Sequence, residues 1–442
     1  MIREQDARII TTAILNGDCT SVIGFSNMGK STLLREMCTP AVREVLLGDK
    51  KDDWLFVYVD CNLMPERSEQ ALHEATLRAV ISVLRREGGS ADLLYRLNDL
   101  YSQVVEPATP IRSPLAFDDA LREVCEESGR GLAILFDEFD DPFEKLAGRA
   151  YLNLRGIKDQ YRNTLVYVAA TERPLAAIRD DHEANEFIEL FNTRERWIGF
   201  LNSPDAHAVA TELAQDATPE DVGFIVQQAG GHSGLIEAVT EVWQRIAAGT
   251  TESARKYAFA LVQQALDNQP NVRAECAKLW AQLTDAERST LTAHLDGKST
   301  DKDVVAQLQT KRLLQSSKPD TDDVVIGEVW RAFVKRQMLT QPDAKPGILV
   351  DVDSGEVYVD SRKIEALTEL EYKLLLLLYG RLNKIVDKYT IVTNVWGETY
   401  LDSVDDARIE KLVSRLRNKL EPSADEPKYL TTLRGRGYKL VG

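Results

Sequence analysis

Short apolar runs alternate with longer amphipathic stretches through the first two hundred residues of the chain. The apolar runs have the length expected of strands that are buried on both faces. They span residues 19–23, 53–60, 131–136 and 164–170, with amphipathic segments at 66–86 and 114–128. Because strands that alternate with helices form parallel sheets covered on both faces, we predict an α/β core over residues 1–203.

The middle of the chain has the three- and four-residue apolar spacing of helices. Residues 204–270 show this spacing up to a break at Gly230-Gly231, which predicts a small helical bundle. Residues 271–340 begin with a capping box at Thr284 and Glu287. A helix at 301–314, a polar hairpin tip at 316–323 and a helix at 327–337 follow, which is the order of a winged helix.

A third pattern follows a Pro/Gly-containing linker at 341–347. Residues 348–360 alternate apolar and polar positions around a turn at 353–355, as a short antiparallel sheet does. An apolar helix from 367, a helix at 404–421 and a final strand pair complete a domain that we place at 348–442.

Composition limits the classes of function. With 442 residues the chain is long enough for about three or four domains, and 44% hydrophobic and 28% charged residues are typical of a globular protein. The net charge of −16 argues against a general nucleic-acid binder, so any DNA-binding surface must be a local patch.

Cysteine usage and hydropathy predict the compartment. The five cysteines are far apart and never in C-x-x-C spacing, so neither a disulfide framework nor a zinc site is indicated. The first residues lack the features of a signal peptide, and the longest apolar run, 374–379, is far short of a membrane span. We therefore expect a cytoplasmic protein without membrane segments.

A glycine-rich segment at 24–32 reads G-x-x-x-x-G-K-S-T between an apolar run and a helix, which is the context of a P-loop. Its backbone N–H groups would bind phosphate oxygens, Lys30 would reach the β- and γ-phosphates and Ser31 would bind Mg²⁺. An ordinary glycine-rich turn is the alternative. The predicted ligand is ATP or ADP with Mg²⁺, bound by Gly24, Asn27, Met28, Gly29, Lys30, Ser31 and Thr32.

Two acids end the third apolar run. We expect the run to form a strand beside the P-loop strand, so that Asp137 holds Mg²⁺ and Glu138 polarises the attacking water. Acids also end many strands without such a role, and the P-loop upstream is what favours the Walker B interpretation.

Four segments of this region together resemble the AAA+/STAND ATPases, especially the origin-recognition branch. They are Leu135 to Asp140, Leu154-Arg155, Val168 to Pro174 and Gly230 to Gly234. The resemblance implies that Thr171 and Arg173 sense the γ-phosphate at the end of the fourth strand and act in catalysis with Lys30 and Glu138. It also implies that His232 of the lid approaches the nucleotide, although Ser233-Gly234 stand where the family usually has proline. Arg173 could equally be a solvated cation, and Arg155 is best explained as part of a solvated face.

The same resemblance gives residues 271–340 the role of an internal winged helix of the STAND type that packs against the nucleotide core. The helix at 301–314 carries only Lys302, Lys311 and Arg312 as cations, which favours a switch domain over a DNA reader. The resemblance further implies slow ATP hydrolysis as a switch reset, and an ATP-dependent homo-oligomer.

The C-terminal hundred residues resemble the OmpR/PhoB-type winged helix-turn-helix effector domain. The resemblance lies in Leu-Thr-x-x-Glu from Leu367, Val-Trp-Gly from Val395, Ser-Arg-Leu-Arg-x-Lys-Leu from Ser414 and Arg-Gly-x-Gly-Tyr from Arg434. It implies a recognition helix at 405–420 in the major groove of double-stranded DNA and a wing in the minor groove. The implied DNA contacts are Arg408, Lys411, Leu412, Ser414, Arg415, Thr432, Arg434 and Arg436, with 400–404 as the place where this family touches RNA polymerase.

Local charge supports DNA binding independently. Residues 408–439 hold nine Lys or Arg against four acids, whereas residues 1–345 carry almost all of the net negative charge. Arg417 and Lys419 could instead form a solvated face that pairs with Glu421 and Glu410.

These observations predict an ATP-dependent switch that binds double-stranded DNA and regulates transcription. In the family the effector domain follows a phosphorylated receiver, whereas here the P-loop region precedes it. Two alternatives remain: a defence-type sensor that uses the winged helix for DNA detection or protein docking, and an origin- or transposition-type DNA-loading ATPase.

Overall fold

A computed structural model describes most of the chain and divides it into two compact units, Met1–Phe333 and Val334–Gly442. The described residues are 1–191, 194–267, 269–295, 297–298, 300–314, 326–340, 347–350, 356–359, 362–364, 367–396, 406–421, 427–433 and 435–441.

The described part of the first unit contains one five-stranded parallel sheet. Its strands are β1 (Thr20–Ile23), β2 (Trp54–Asp60), β3 (Gly131–Asp137), β4 (Leu165–Thr171) and β5 (Glu195–Trp197), in the spatial order β2-β3-β4-β1-β5. Every residue of β1, β3 and β4 is buried, as the continuous apolar runs predict. The expected parallel α/β fold is therefore confirmed.

The position of the Walker B strand differs from the sequence-based expectation. We expected it beside the P-loop strand, but β4 lies between β1 and β3 and pairs with both. The difference arises because the order of strands along a chain does not fix their order in a sheet. The carboxyl ends of β1, β3 and β4 still meet at one edge, so the P-loop and Asp137 lie on the same side of the sheet.

Helices cover the sheet and continue beyond it. In the first unit they are α1 (Glu4–Leu15), α2 (Lys30–Met37), α3 (Pro40–Leu47), α4 (Glu69–Arg86), α5 (Ala91–Val105), α6 (Arg112–Glu127), α7 (Asp140–Lys145), α8 (Gly148–Gln160), α9 (Leu175–Ile178), α10 (His182–Ile188), α11 (Ser203–Leu213), α12 (Pro219–Ala229), α13 (Ser233–Ile246), α14 (Glu252–Leu266), α15 (Pro270–Ala281), α16 (Asp285–Leu295), α17 (Lys302–Thr310) and α18 (Glu328–Thr340), which runs on into the second unit. Short 3-10 turns occur at Gly48–Lys50 and Cys61–Leu63. The segments predicted at 66–86 and 114–128 correspond to α4 and α6.

The predicted capping box before α16 is present. Thr284 N donates to Glu287 Oε2 over 3.0 Å, and Glu287 N donates to Thr284 Oγ1 over 3.2 Å. The hairpin tip expected at 316–323 lies outside the described residues, so an internal winged helix at 271–340 stays a prediction. The subdivision of the first unit into core, lid and winged helix stays one as well.

Among its described residues, the second unit combines the end of α18 and three further helices with two small antiparallel sheets. Its elements are β6 (Ile348–Val350), β7 (Val357–Val359), β8 (Arg362–Lys363), α19 (Glu369–Tyr379), α20 (Lys388–Val395), α21 (Asp406–Leu420), β9 (Leu430–Leu433) and β10 (Gly437–Leu440). Strands β6, β7 and β8 form one sheet, and β9 pairs with β10 in the other. Leu374, Leu416 and Leu440, all fully buried, contribute to a core of its own.

Within the described ranges, no helix is both long enough and apolar enough to cross a lipid bilayer.

Candidate functional sites

The glycine-rich segment forms a tight turn between β1 and α2. Asn27 and Gly29 have left-handed backbone angles, with φ of 58° and 87°, and α2 begins at Lys30. Gly24 is required for a different reason, because a Cβ there would lie 2.4 Å from the carbonyl oxygen of Ile198. The turn thus presents the N-terminus of α2 to a cavity, as a phosphate-binding loop does.

That cavity has a volume of about 490 Å³ and lies between the P-loop and the segment from α11 to α15. Residues Asn27 to Thr32 line one wall together with Glu138, and Ser233 and Gly234 at the start of α13 line the opposite wall. Six of the eight residues predicted to bind nucleotide therefore border one open cavity of a suitable size.

Lys30 is buried beside this cavity. Its Nζ donates to the carbonyl oxygens of Gly24, over 2.6 Å, and Phe25, over 3.2 Å. Burial lowers the pKa of Lys30, while Glu172 and Glu138 act in the opposite direction. The ammonium group is thus held within the loop by two neutral acceptors, which a phosphate oxygen could replace.

Asp137 meets the requirement for a metal ligand. It is 1% exposed, its Oδ2 accepts from Tyr58 OH over 2.6 Å, and its Oδ1 has no hydrogen-bond partner within the described part of the chain. A buried carboxylate oxygen without a partner is costly, so a bound cation would stabilise it. No group of three or more His, Cys, Asp or Glu side chains suited to a metal occurs among the described residues. One carboxylate suffices for Mg²⁺, which in proteins often binds one carboxylate and the phosphates of its nucleotide.

Glu138 has the geometry of a strained functional residue. Its φ is 54°, which is unfavourable for a side chain larger than glycine, and Glu138 lines the cavity on the same wall as the P-loop. Burial raises the pKa of Glu138, and Lys30 partly offsets this. A carboxylate with a raised pKa is suited to accept a proton from water.

The residues predicted to sense the nucleotide lie farther back. Thr171 is buried and its Oγ1 donates to the carbonyl oxygen of Arg173 over 2.7 Å, while Arg173 is exposed. His232 is also buried, and its Nδ1 accepts from Leu235 N over 3.1 Å, so that it caps α13. None of the three is among the described residues that line the cavity.

Two contacts of the P-loop come from residues that carry no sequence motif. Gln282, which follows α15, accepts from Ser26 N over 3.2 Å through its Oε1. Glu275 Oε2 accepts from Asn27 Nδ2 over 2.7 Å. The P-loop is therefore bonded to α15 and to the residue that follows it, which sequence reasoning did not predict because neither residue belongs to a local pattern.

The second candidate site is the exposed face of α21. Arg408, Lys411, Ser414 and Arg415 are exposed on this helix, whereas Leu412 is 6% exposed and packs in the domain core. On the hairpin, Thr432 and Arg436 are exposed, and Arg434 lies outside the described residues, as do 400–404.

Arg417 and Lys419 have partners other than those expected. Arg417 donates to the carbonyl oxygen of Leu430 over 3.1 Å and to Thr432 Oγ1 over 2.8 Å, and Lys419 pairs with Glu371 over 2.9 Å. Sequence reasoning had suggested Glu421 and Glu410, which are near in sequence. These two cations instead fasten α21 to β9 and α19.

Comparison with known proteins agrees with this second site. Residues 362–440 match the family described as "Transcriptional regulatory protein, C terminal". The response regulator ArlR of Staphylococcus saprophyticus is 36% identical over 108 residues, which is 24% of this chain and 47% of ArlR. The chain spans less than half the length of the curated relatives it matches first.

Two solved structures are similar to parts of the chain. The Klebsiella pneumoniae RstA DNA-binding domain in complex with RstA box is 27% identical and covers 22% of this chain and 91% of that one, with a TM-score of 0.20. The Walker-type ATPase PABY2304 of Pyrococcus abyssi is 14% identical and covers 76% of this chain and 95% of that one, with a TM-score of 0.41.

The C-terminal segment therefore carries a DNA-binding domain of the OmpR/PhoB type. The first unit has the parallel α/β fold of a P-loop protein, with the loop at the carboxyl end of β1.

Proposed function

We propose that this chain is a nucleotide-dependent switch of the AAA+/STAND type that binds double-stranded DNA through its C-terminal domain and regulates transcription. One observation carries the proposal. The same chain has a P-loop cavity lined by Lys30 and Glu138 and a C-terminal domain that matches transcriptional regulatory proteins.

The nucleotide half of the proposal assigns roles to Lys30, Ser31 and Glu138, which line the cavity, and to Asp137, which ends β3. Lys30 would exchange its two carbonyl acceptors for phosphate oxygens, and Ser31 and Asp137 would hold Mg²⁺, which neutralises phosphate charge. Glu138 would orient and deprotonate water in a slow hydrolysis step. Thr171, Arg173 and His232 would act only after a rearrangement that brings them to the nucleotide.

Charge around the cavity explains why the cation matters. Glu138, Glu237, Glu241 and Glu275 line it, and Lys30 is the one basic side chain among the described residues that do so. A triphosphate would enter an acidic surrounding, so its binding should depend strongly on Mg²⁺.

The DNA half of the proposal rests on α21. Arg408, Lys411, Ser414 and Arg415 face solvent along one side of this helix, while its buried side holds it in the domain core. Such a helix can enter a major groove, with arginines that contact base edges and phosphates. RNA polymerase contact and ATP-dependent homo-oligomerisation are expected from the resemblance alone.

Selection from fragmented genomic DNA, with and without ATP, tests the function. A regulator should enrich one operator sequence, whereas broad enrichment would favour the DNA-loading ATPase and no enrichment would favour a docking module. On the selected operator, Arg415→Ala should weaken binding and reduce the salt dependence of log K by about one unit per lost phosphate contact. Lys373→Ala on α19 is the matched control, and an unchanged salt slope in Arg415→Ala would contradict the assignment of α21.

A further inference from the structure

A second cavity, of about 480 Å³, lies along the edge strand β2 between α2 and α4. Phe56, Val59 and Val83 give it an apolar floor. Its volume is that of a small-molecule site, its lining is partly apolar and partly polar, and none of its lining residues lines the P-loop cavity.

Three guanidinium groups surround this apolar floor. Arg78 and Arg86 lie eight residues apart on one face of α4, and Arg35 comes from α2. Arg78 pairs with Glu74 on its own helix over 2.9 Å, and Arg86 forms no ion pair with any described residue. The one acid in the lining, Asp60, already accepts from Asn62 N over 3.0 Å. The cavity therefore has an apolar floor and an excess of positively charged side chains around it.

One wall of this cavity is connected to the metal-binding carboxylate. Arg35 Nε donates to Tyr58 OH over 3.0 Å, and Tyr58 OH donates to Asp137 Oδ2 over 2.6 Å. Arg35 and Tyr58 both line the cavity, and the guanidinium carbon of Arg35 lies 5.5 Å from the centre of the Tyr58 ring. A charge placed at Arg35 is thus two hydrogen bonds away from Asp137.

We propose that this cavity is a regulatory site for a small anionic molecule with an apolar body, whose carboxylate or phosphate group binds Arg35, Arg78 and Arg86 and whose occupancy reaches Asp137 through Tyr58. The coupling part of this inference rests on the proposed nucleotide function. An anion at Arg35 neutralises its charge and weakens its donation to Tyr58, so Tyr58 donates less strongly to Asp137. Asp137 then becomes a better ligand for Mg²⁺, and the nucleotide binds more tightly.

The test uses the full chain and the fluorescent probe 1-anilinonaphthalene-8-sulfonate, which has an apolar body and one sulfonate. We expect saturable binding of one probe per chain. Arg78→Glu/Arg86→Glu should weaken it about ten-fold or more, since bonds to charged groups contribute about that much. Arg85→Glu is the control, because Arg85 is exposed on the same helix but contacts Asn98 instead of the cavity. Equal probe affinity in the double variant and the control would overturn the site.

Coupling is measured separately with a fluorescent ADP analogue in Mg²⁺. Saturating probe should tighten nucleotide binding about five-fold, the lower range of allosteric coupling. Tyr58→Phe should abolish this change at probe concentrations that saturate the variant. Unchanged nucleotide affinity in the presence of bound probe would overturn the connection through Tyr58. Failure of the proposed nucleotide function gives a different result from failure of this site. In that case no nucleotide binds even without probe, whereas the probe still binds both the unaltered chain and Lys30→Ala.

Discussion

At the scale of single residues, burial decides what the titratable groups near the nucleotide cavity can do. His232 illustrates this, because it is 2% exposed and its Nδ1 caps α13 as an acceptor. Burial lowers its pKa to about 4, with a smaller opposing effect of Glu275. The folded protein therefore favours the neutral imidazole, which is the form that can accept from Leu235 N.

This shift predicts a pH dependence of the free energy of unfolding. The folded-state pKa lies below the ordinary value of 6.5, so the stabilisation is complete above that value and is lost as pH falls toward 4. Replacing His232 with Asn keeps a capping acceptor but removes the titration. The loss of stability between neutral pH and about pH 4.5 should shrink by about 2–3 kcal/mol.

Urea unfolding at the two pH values, followed by tryptophan fluorescence, measures this difference. Burial lowers the pKa of His73 to about 3, and this contribution cancels because both proteins retain His73. His294→Asn is the matched control, since that side chain is exposed. An acid-induced loss of the same size in His232→Asn and in the unaltered chain would contradict a neutral, buried His232.

At the scale of elements, one buried carboxylate joins three parts of the first unit. Asp6 of α1 is 3% exposed at its side chain and pairs with Arg3 over 3.4 Å, with Arg196 of β5 over 2.5 Å and with Arg312, which follows α17, over 3.0 Å. Arg3 in turn donates to the carbonyl oxygen of Met28 in the P-loop over 2.8 Å. The start of the chain therefore stabilises the position of the loop.

Truncation of Asp6 should be strongly destabilising. Asp6→Ala leaves three guanidinium groups, all at least partly buried, without their shared partner. Loss of one member of a buried ion pair costs about 3–5 kcal/mol. Glu4→Ala is the control on the same helix, because the Glu4–Arg8 pair is exposed and such pairs contribute about 0–1 kcal/mol. Thermal unfolding measures the stability of both variants. Similar melting temperatures would show that the ion pairs of Asp6 contribute little to the stability of the fold.

Particular elements show how far the sequence predicts this fold. Strands β2, β3 and β4 agree with their apolar runs to within a residue or two, because burial on both faces leaves a local signal. Strand β5 was not predicted, since its three residues, Glu195 to Trp197, are a short and largely polar edge strand that forms by pairing with Ser21 to Ile23 of β1. A partner so distant in sequence leaves no local pattern.

The same distinction holds for the candidate sites. Lys30 and Asp137 could be identified because phosphate and metal binding require fixed residue types within short motifs. Tyr58 could not, because in sequence it is one more residue of an apolar strand, and its hydroxyl acquires a role only where β2 lies beside β3. Gln282 and Glu275 reach the P-loop from some 250 residues away, which no spacing rule anticipates.

At the scale of the whole molecule, the switch proposal requires that a nucleotide bound to the first unit changes the affinity of the second unit for DNA. A nucleotide can change the affinity for DNA only if it binds the DNA-binding conformation and the non-binding conformation with different affinities. Such couplings typically change an affinity about 5–150-fold. We therefore expect operator affinity to differ by about five-fold or more between chains with and without ATP and Mg²⁺. The sign of the change distinguishes activation from repression of DNA binding by ATP.

Lys30→Ala gives this coupling its sharpest test. Loss of the buried ammonium group should abolish nucleotide binding in a fluorescent-nucleotide titration, and operator affinity should then be the same with and without ATP. Lys51→Ala is the control, because the Lys51 side chain is 44% exposed and pairs with Glu44 outside the cavity, so both nucleotide binding and its effect on DNA should persist. The slope of log K for DNA binding against log salt concentration should be equal in the unaltered chain, Lys30→Ala and Lys51→Ala, since the contacts of α21 are unchanged. ATP-dependent operator binding by Lys30→Ala would contradict the proposed switch even if both units bind their separate ligands, because the dependence would then arise somewhere other than the P-loop.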